Sequence, residues 1–197
     1  MPRQVDAEER VRDIVMASVA ALNDGGLPEL TLRKIAKRMG GSITLITHYF
    51  ADREALLRAI LDYTLADADS FLAELAGIES PHDRLHAALK WFLPLTEESL
   101  ALEKTRIALT ASRSAEPIIR ENAGVLEPAM RQVLRRGLED FVPAERLEAT
   151  VDLARSWVSG MALSTVEHPE IWTRERQLAT LDAFVALLYR QEGVAAV

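Results

Sequence analysis

Two short runs with helical apolar spacing, Leu32 to Met39 and Ile43 to Tyr49, are separated by only Gly40, Gly41 and Ser42. That arrangement confines the chain here to a tight pair of helices. In the first run Leu32, Ile35, Ala36 and Met39 recur at three- and four-residue steps, which places them on one helical face. The intervening glycines tolerate the positive φ of a tight turn without steric penalty. Thr31 and Ser42 each precede a run, and each is predicted to cap its helix by accepting a hydrogen bond from a free backbone N–H. A longer helix is expected ahead of the pair, because Val11, Ile14, Val15, Ser18, Val19 and Leu22 form one stripe and Asn23-Asp24-Gly25-Gly26 ends it.

The same periodicity continues to the C-terminus. Asp52 opens a long fourth helix that ends near Gly77, and Ser80-Pro81 starts another, with proline in the first turn where its missing N–H costs nothing. Start and stop signals predict further helices over 81–93, 97–112, 117–138, 144–166 and 174–190, punctuated by Pro94, Pro117, Pro143 and Pro169. No segment alternates with period two over a useful length, so the expected fold class is all-α with about nine helices.

The chain has 197 residues, no cysteine and a formal net charge of -7. Without cysteine there are no disulfides and no thiolate nucleophiles or metal ligands, which fits a reducing, cytoplasmic setting. The first ten residues are too charged for a signal peptide. The longest stretch free of Asp, Glu, Lys and Arg, 39–51, has 13 residues, short of the roughly 18 that a membrane span needs. An enzyme is disfavoured, since no nucleophile, general base or glycine-rich phosphate loop stands out, and no cofactor is expected. His82 and His86 lie four apart and mimic a zinc helix, but a metal site needs a third ligand that the chain does not supply convincingly.

The charge is unevenly distributed. Residues 1–60 carry 9 Lys/Arg against 8 Asp/Glu, whereas the remaining 137 carry 14 against 22. Between Thr31 and Arg58 there are six basic residues (Arg33, Lys34, Lys37, Arg38, Arg53 and Arg58) and two acidic ones. A positive patch of this kind on an acidic body suits phosphate contacts. With Ile46 and Phe50 facing a core, Ile43, Thr44, Thr47 and His48 are left on another face of the third helix. The two threonines can bond base edges or phosphates, and Ile43 or Leu45 can contact a thymine methyl. Arg33 lies near a helix N-terminus, where phosphate is favoured, and Tyr49 and Arg53 lie where the chain would leave the groove.

The stretch from Thr31 to Leu57, TLRKIAKRMGGSITLITHYFADREALL, resembles the DNA-binding region of TetR-family regulators, with the Thr47-His48-Tyr49-Phe50 run most similar to the BetI-like branch. The match rests on Ile35-Ala36, Gly40, Ser42, Tyr49-Phe50, Arg53 and Leu56-Leu57. The chain departs from the family's usual tyrosine at Thr47, from a small apolar residue at Gly41, and often from lysine and glycine at Ile43 and Thr44, all of which alter the groove-facing surface. The resemblance implies a helix-turn-helix DNA-binding domain over 1–54 and a helical ligand-binding and dimerisation domain over 55–197. It further implies a homodimeric repressor released from a double-stranded DNA operator by a small-molecule effector. The competing reading is an all-α ligand-binding or scaffold protein whose helix-turn-helix is not functional.

For an effector pocket the candidates are Trp91 and Trp157 with Glu103 and Arg106 as polar anchors, although large aromatics are equally suited to ordinary core packing. For a dimer interface the last two helices offer Val151, Ala154, Val158 and Met161 on one stripe and Leu181, Phe184 and Leu188 on the other. The alternative for those stripes is packing inside the chain itself.

Overall fold

The computed structural model describes residues 2–114 and 116–192, with side chains for 7–63, 68–114 and 116–191. Among the described residues there are nine α-helices and no strand. Helix α1 spans Pro2–Gly25, α2 Leu32–Arg38, α3 Ile43–Thr47, α4 Arg53–Ala76 and α5 Pro81–Lys90. The remainder are α6 Glu97–Ala111, α7 Pro117–Leu138, α8 Ala144–Glu167 and α9 Arg174–Glu192. The expected stops hold closely, because they rest on caps and breakers rather than on propensity. Ser80 accepts from the Asp83 amide at 3.2 Å, and Thr96 and Ser99 satisfy each other's amides at 2.9 and 3.1 Å. Helix α7 runs through Pro128, which forgoes one i to i−4 bond.

The chain divides into two compact units, one comprising residues up to Ala66 together with Lys104–Gly124, the other Asp67–Glu103 together with residues from Val125 onward. In the first unit α1 packs on α2, and α2 on α3. Ile14, Val15, Val19 and Leu22 are buried as the stripe requires, and Ser18, wholly buried, donates to the Ile14 carbonyl at 2.7 Å. A single 3-10 turn, Leu27–Glu29, follows Gly26, whose φ is 71°.

In the second unit Leu85, Leu89, Leu134 and Leu138 join Val151, Ala154, Val158, Leu181, Phe184 and Leu188 in one core. Arg84, 7% exposed, closes it by donating to the carbonyls of Ile78 and Glu79 and pairing with Asp140. Helices α5 and α7 approach so closely that a Cβ on Gly137 would lie 2.5 Å from the Ala88 Cβ. Gly137→Ala is therefore expected to destabilise this unit by about 1–3 kcal/mol through overpacking, outweighing the gain of up to about 1 kcal/mol in helix propensity. Gly124, with nothing within 4 Å, is the control: alanine there should be neutral or stabilising in urea melts.

No described helix is long and apolar enough to cross a membrane.

Candidate nucleic-acid interface

Helix α2 begins where Thr31, extended at φ -132°, accepts from the Lys34 amide at 3.2 Å, as expected of a cap. It ends at Gly40, whose φ of 67° is the left-handed conformation that the turn into α3 demands. Ser42 has the extended backbone of a cap, yet its side chain makes no capping hydrogen bond. The expected hydroxyl cap is thus corrected: Ser42 is exposed, where water competes for first-turn amides, and the Leu45 N–H reaches the Ser42 carbonyl instead, at 3.1 Å. Helix α3 stops at Thr47, two residues short of expectation.

One face of α3 is anchored and the other free. Ile46 is wholly buried and Phe50, just beyond the helix, is 7% exposed. Ile43, Thr44, Thr47 and His48 are exposed, while Leu45 and Tyr49 are half-buried. The Thr47 hydroxyl donates to the Thr44 carbonyl at 3.3 Å, and the His48 ring meets Tyr49 edge-on at 4.9 Å.

The cations around this face are not equivalent. Lys34 bonds Glu29 at 2.7 Å, Arg38 bonds Asp24 at 2.7 Å, and Arg58 lies 3.5 Å from Glu54. Arg53, expected to face phosphate, bonds Glu116 at 3.0 Å beside a small cleft that Leu57 and Ile118 also line. Of the six basic residues only Arg33 and Lys37 have no ion pair among the described residues. Both line a groove of about 520 Å³ whose other walls are Ala36, Gly41 and Ile43. An apolar floor between two unneutralised cations is suited to a polyanion that carries apolar edges. Lys37 lies in the positive patch of the sequence but outside the expected DNA contacts. What sets it apart is that no carboxylate among the described residues pairs with it, which only the fold reveals.

The other expected site residues lie in both units. Trp91 stacks on Phe71 at 5.4 Å, and Trp157 lies face to face on Phe184 at 4.4 Å against the second unit's core. Glu103 belongs to the second unit and Arg106 to the first. Val151, Ala154, Val158, Met161, Leu181, Phe184 and Leu188 are all less than 10% exposed within the single chain. In the single chain they pack in the second unit's core. Among the described residues, the large apolar side chains left outward on α8 and α9 are Leu153, Leu163 and Leu187, at 48%, 43% and 56% exposure. Their signal was a second apolar stripe through Leu153, Gly160 and Leu163, offset from the first. His86 bonds Asp182 at 3.0 Å and His82 bonds Asp83 at 3.2 Å. The His82 bond, followed by one from Ser80, holds the Asp83 carboxyl below its ordinary value. Among the described residues no group of three or more metal-ligating side chains is assembled.

Taken together, a buried-anchored α3 presented by α2 across a glycine turn defines a helix-turn-helix protein. The same region is similar to known proteins. Residues 14–60 match the family described as bacterial regulatory proteins, tetR family. The HTH-type transcriptional regulator BetI of Burkholderia mallei (strain NCTC 10229) is 30% identical over 122 residues, 61% of this chain and 63% of that relative. The aligned stretch thus spans less than two thirds of the relative's length. A transcriptional regulator from Rhodococcus sp. Rha1 has the same fold, with a TM-score of 0.74 and 22% identity over 94% of this chain and 99% of that one. A Saccharomonospora viridis protein crystallised with choline also has a TM-score of 0.74, at 17% identity over 91% of this chain and 96% of its own.

Proposed function

We propose that the chain is a transcriptional repressor that binds a palindromic operator as a homodimer and leaves it when a small molecule binds. The observation that carries this reading is the exposed face of α3 beside Arg33 and Lys37, two cations with no ion-pair partner among the described residues. The division adopted is a DNA-binding domain over 1–54 and an effector-binding and dimerisation domain over 55–197. Two copies of α3 related by a two-fold axis would enter successive turns of the major groove, which makes the operator an approximate palindrome. The pairing surface is the outward stripe of α8, Leu153, Ser156, Gly160 and Leu163, with Ala179, Ala183 and Leu187 on α9, all exposed. Its small residues let helices of two protomers approach closely.

An effector shifts a population only by its preference for one state over the other. Coupling of about 1–3 kcal/mol would weaken operator binding roughly 5- to 150-fold. The acidic balance beyond residue 60 and the choline held by the Saccharomonospora viridis protein of this fold make a small cation the first effector to test. Selection of bound duplexes from a random pool by the full-length protein tests the core of the proposal. A symmetric motif is expected, with binding that falls steeply with salt; enrichment of no motif would refute it.

The Arg53 pair with Glu116 competes with phosphate for the guanidinium. Glu116→Gln should therefore tighten DNA binding and steepen the plot of log affinity against log salt by about 0.9 per released contact. Salt titrations of the two proteins measure it, and an unchanged slope would remove Arg53 from the phosphate contacts.

A further inference from the structure

We infer that base recognition by this chain runs chiefly through the 5-methyl group of thymine, met by Ile43, with Arg33 and Lys37 holding the flanking phosphates. The inference rests on the proposed entry of α3 into the major groove, and it names what that helix recognises there. Side chains that discriminate bases strongly do so by bidentate bonds: arginine or lysine to guanine, asparagine or glutamine to adenine, and carboxylates accept from cytosine. The exposed face of α3 and its exit, Ile43, Thr44, Thr47 and His48, contains none of these. The Thr47 hydroxyl already spends its proton on the Thr44 carbonyl, so its remaining capacity is to accept. What the face does offer is an apolar side chain at the first position of the helix, where readers of this kind approach base edges.

The fold decides which apolar side chain that is. Leu45 is half-buried, and its Cδ2 lies 3.1 Å from where a Cβ on Gly41 would stand. Ile43 is 48% exposed and forms a wall of the same groove that Arg33 and Lys37 line. In the major groove only thymine among the bases presents a methyl group, and its own phosphates run alongside. A methyl floor with two free cations beside it matches that surface. A guanine-rich or cytosine-rich edge would leave its polar groups desolvated against Ile43 without partners.

The test uses the full-length protein and the duplex obtained by random selection, resynthesised with deoxyuridine at each thymidine in turn, which removes only the methyl group. Losing one methyl contact should cost about 4-fold at one position in each half-site, or about 15-fold when both halves of a palindrome are changed. In Ile43→Ala, whose altered side chain is exposed and so should not disturb folding, the same replacement should cost almost nothing further. Two results would overturn the inference: affinity indifferent to every deoxyuridine, or equal sensitivity in Ile43→Ala, which would place the effect in duplex shape. Failure to select any motif would instead sink the regulator reading together with this one, so the two failures are distinguishable.

Discussion

Glutamate at both Leu163 and Leu187 should give a folded, helical protein that sediments as a monomer and binds operator about 10²- to 10⁴-fold more weakly, the avidity lost when two linked contacts become one. Folding should survive because the two leucines are 43% and 56% exposed in the single chain, so charge there enters no core. Dimerisation should not survive, since two glutamates per protomer would put like charges across a surface built from leucine, glycine and alanine. Val158→Glu gives the contrast. Val158 is 1% exposed, and a carboxylate there has no partner in an apolar core, so that variant should lose helicity rather than only its partner. A double glutamate variant that still sediments as a dimer would place the interface elsewhere.

Particular residues show what a single sequence encodes and what it does not. Caps, glycine turns and proline stops act within a few residues, so Thr31, Asp52, Ser80 and the break at Gly26 were legible from their neighbours. The Asp52 carboxylate accepts the Ala55 amide at 2.8 Å, as its position before α4 demands. Hydrophobic spacing likewise identified Ile46 and Phe50 as the anchored side of α3. Helix α8 resisted because it has two apolar stripes, one through Val151, Ala154 and Val158 and one through Leu153, Gly160 and Leu163. Periodicity counts apolar positions but does not say which stripe meets the chain's own core. Charge pairing resisted for a different reason. Whether Arg53 is free depends on Glu116, 63 residues away in sequence, and whether Lys34 and Arg38 are free depends on Glu29 and Asp24. Only after those pairs are set do Arg33 and Lys37 emerge as the cations of the patch with no ion pair among the described residues.

Ile46→Ala should abolish specific DNA binding while the rest of the molecule stays folded. Helix α3 has five residues, and Ile46 is its one buried side chain. A helix that short has almost no stability of its own in water, so the reader keeps its shape because Ile46 holds it down. Truncating a fully buried isoleucine costs about 2–5 kcal/mol, and here that loss falls on the docking of one short segment. Once the undocked state dominates, DNA has to pay for re-docking, and even 2 kcal/mol would weaken each reader by about 30-fold. Hydrogen exchange is the discriminating measurement: amides of 43–50 should exchange quickly in the variant while those of α8 and α9 keep their protection. Ile43→Ala, three residues away on the exposed side, should leave that exchange pattern unchanged. If Ile46→Ala kept both the protection of 43–50 and its operator affinity, α3 would have to be held by Phe50 and the α2 turn alone. The geometry of a helix with a single buried anchor argues against that.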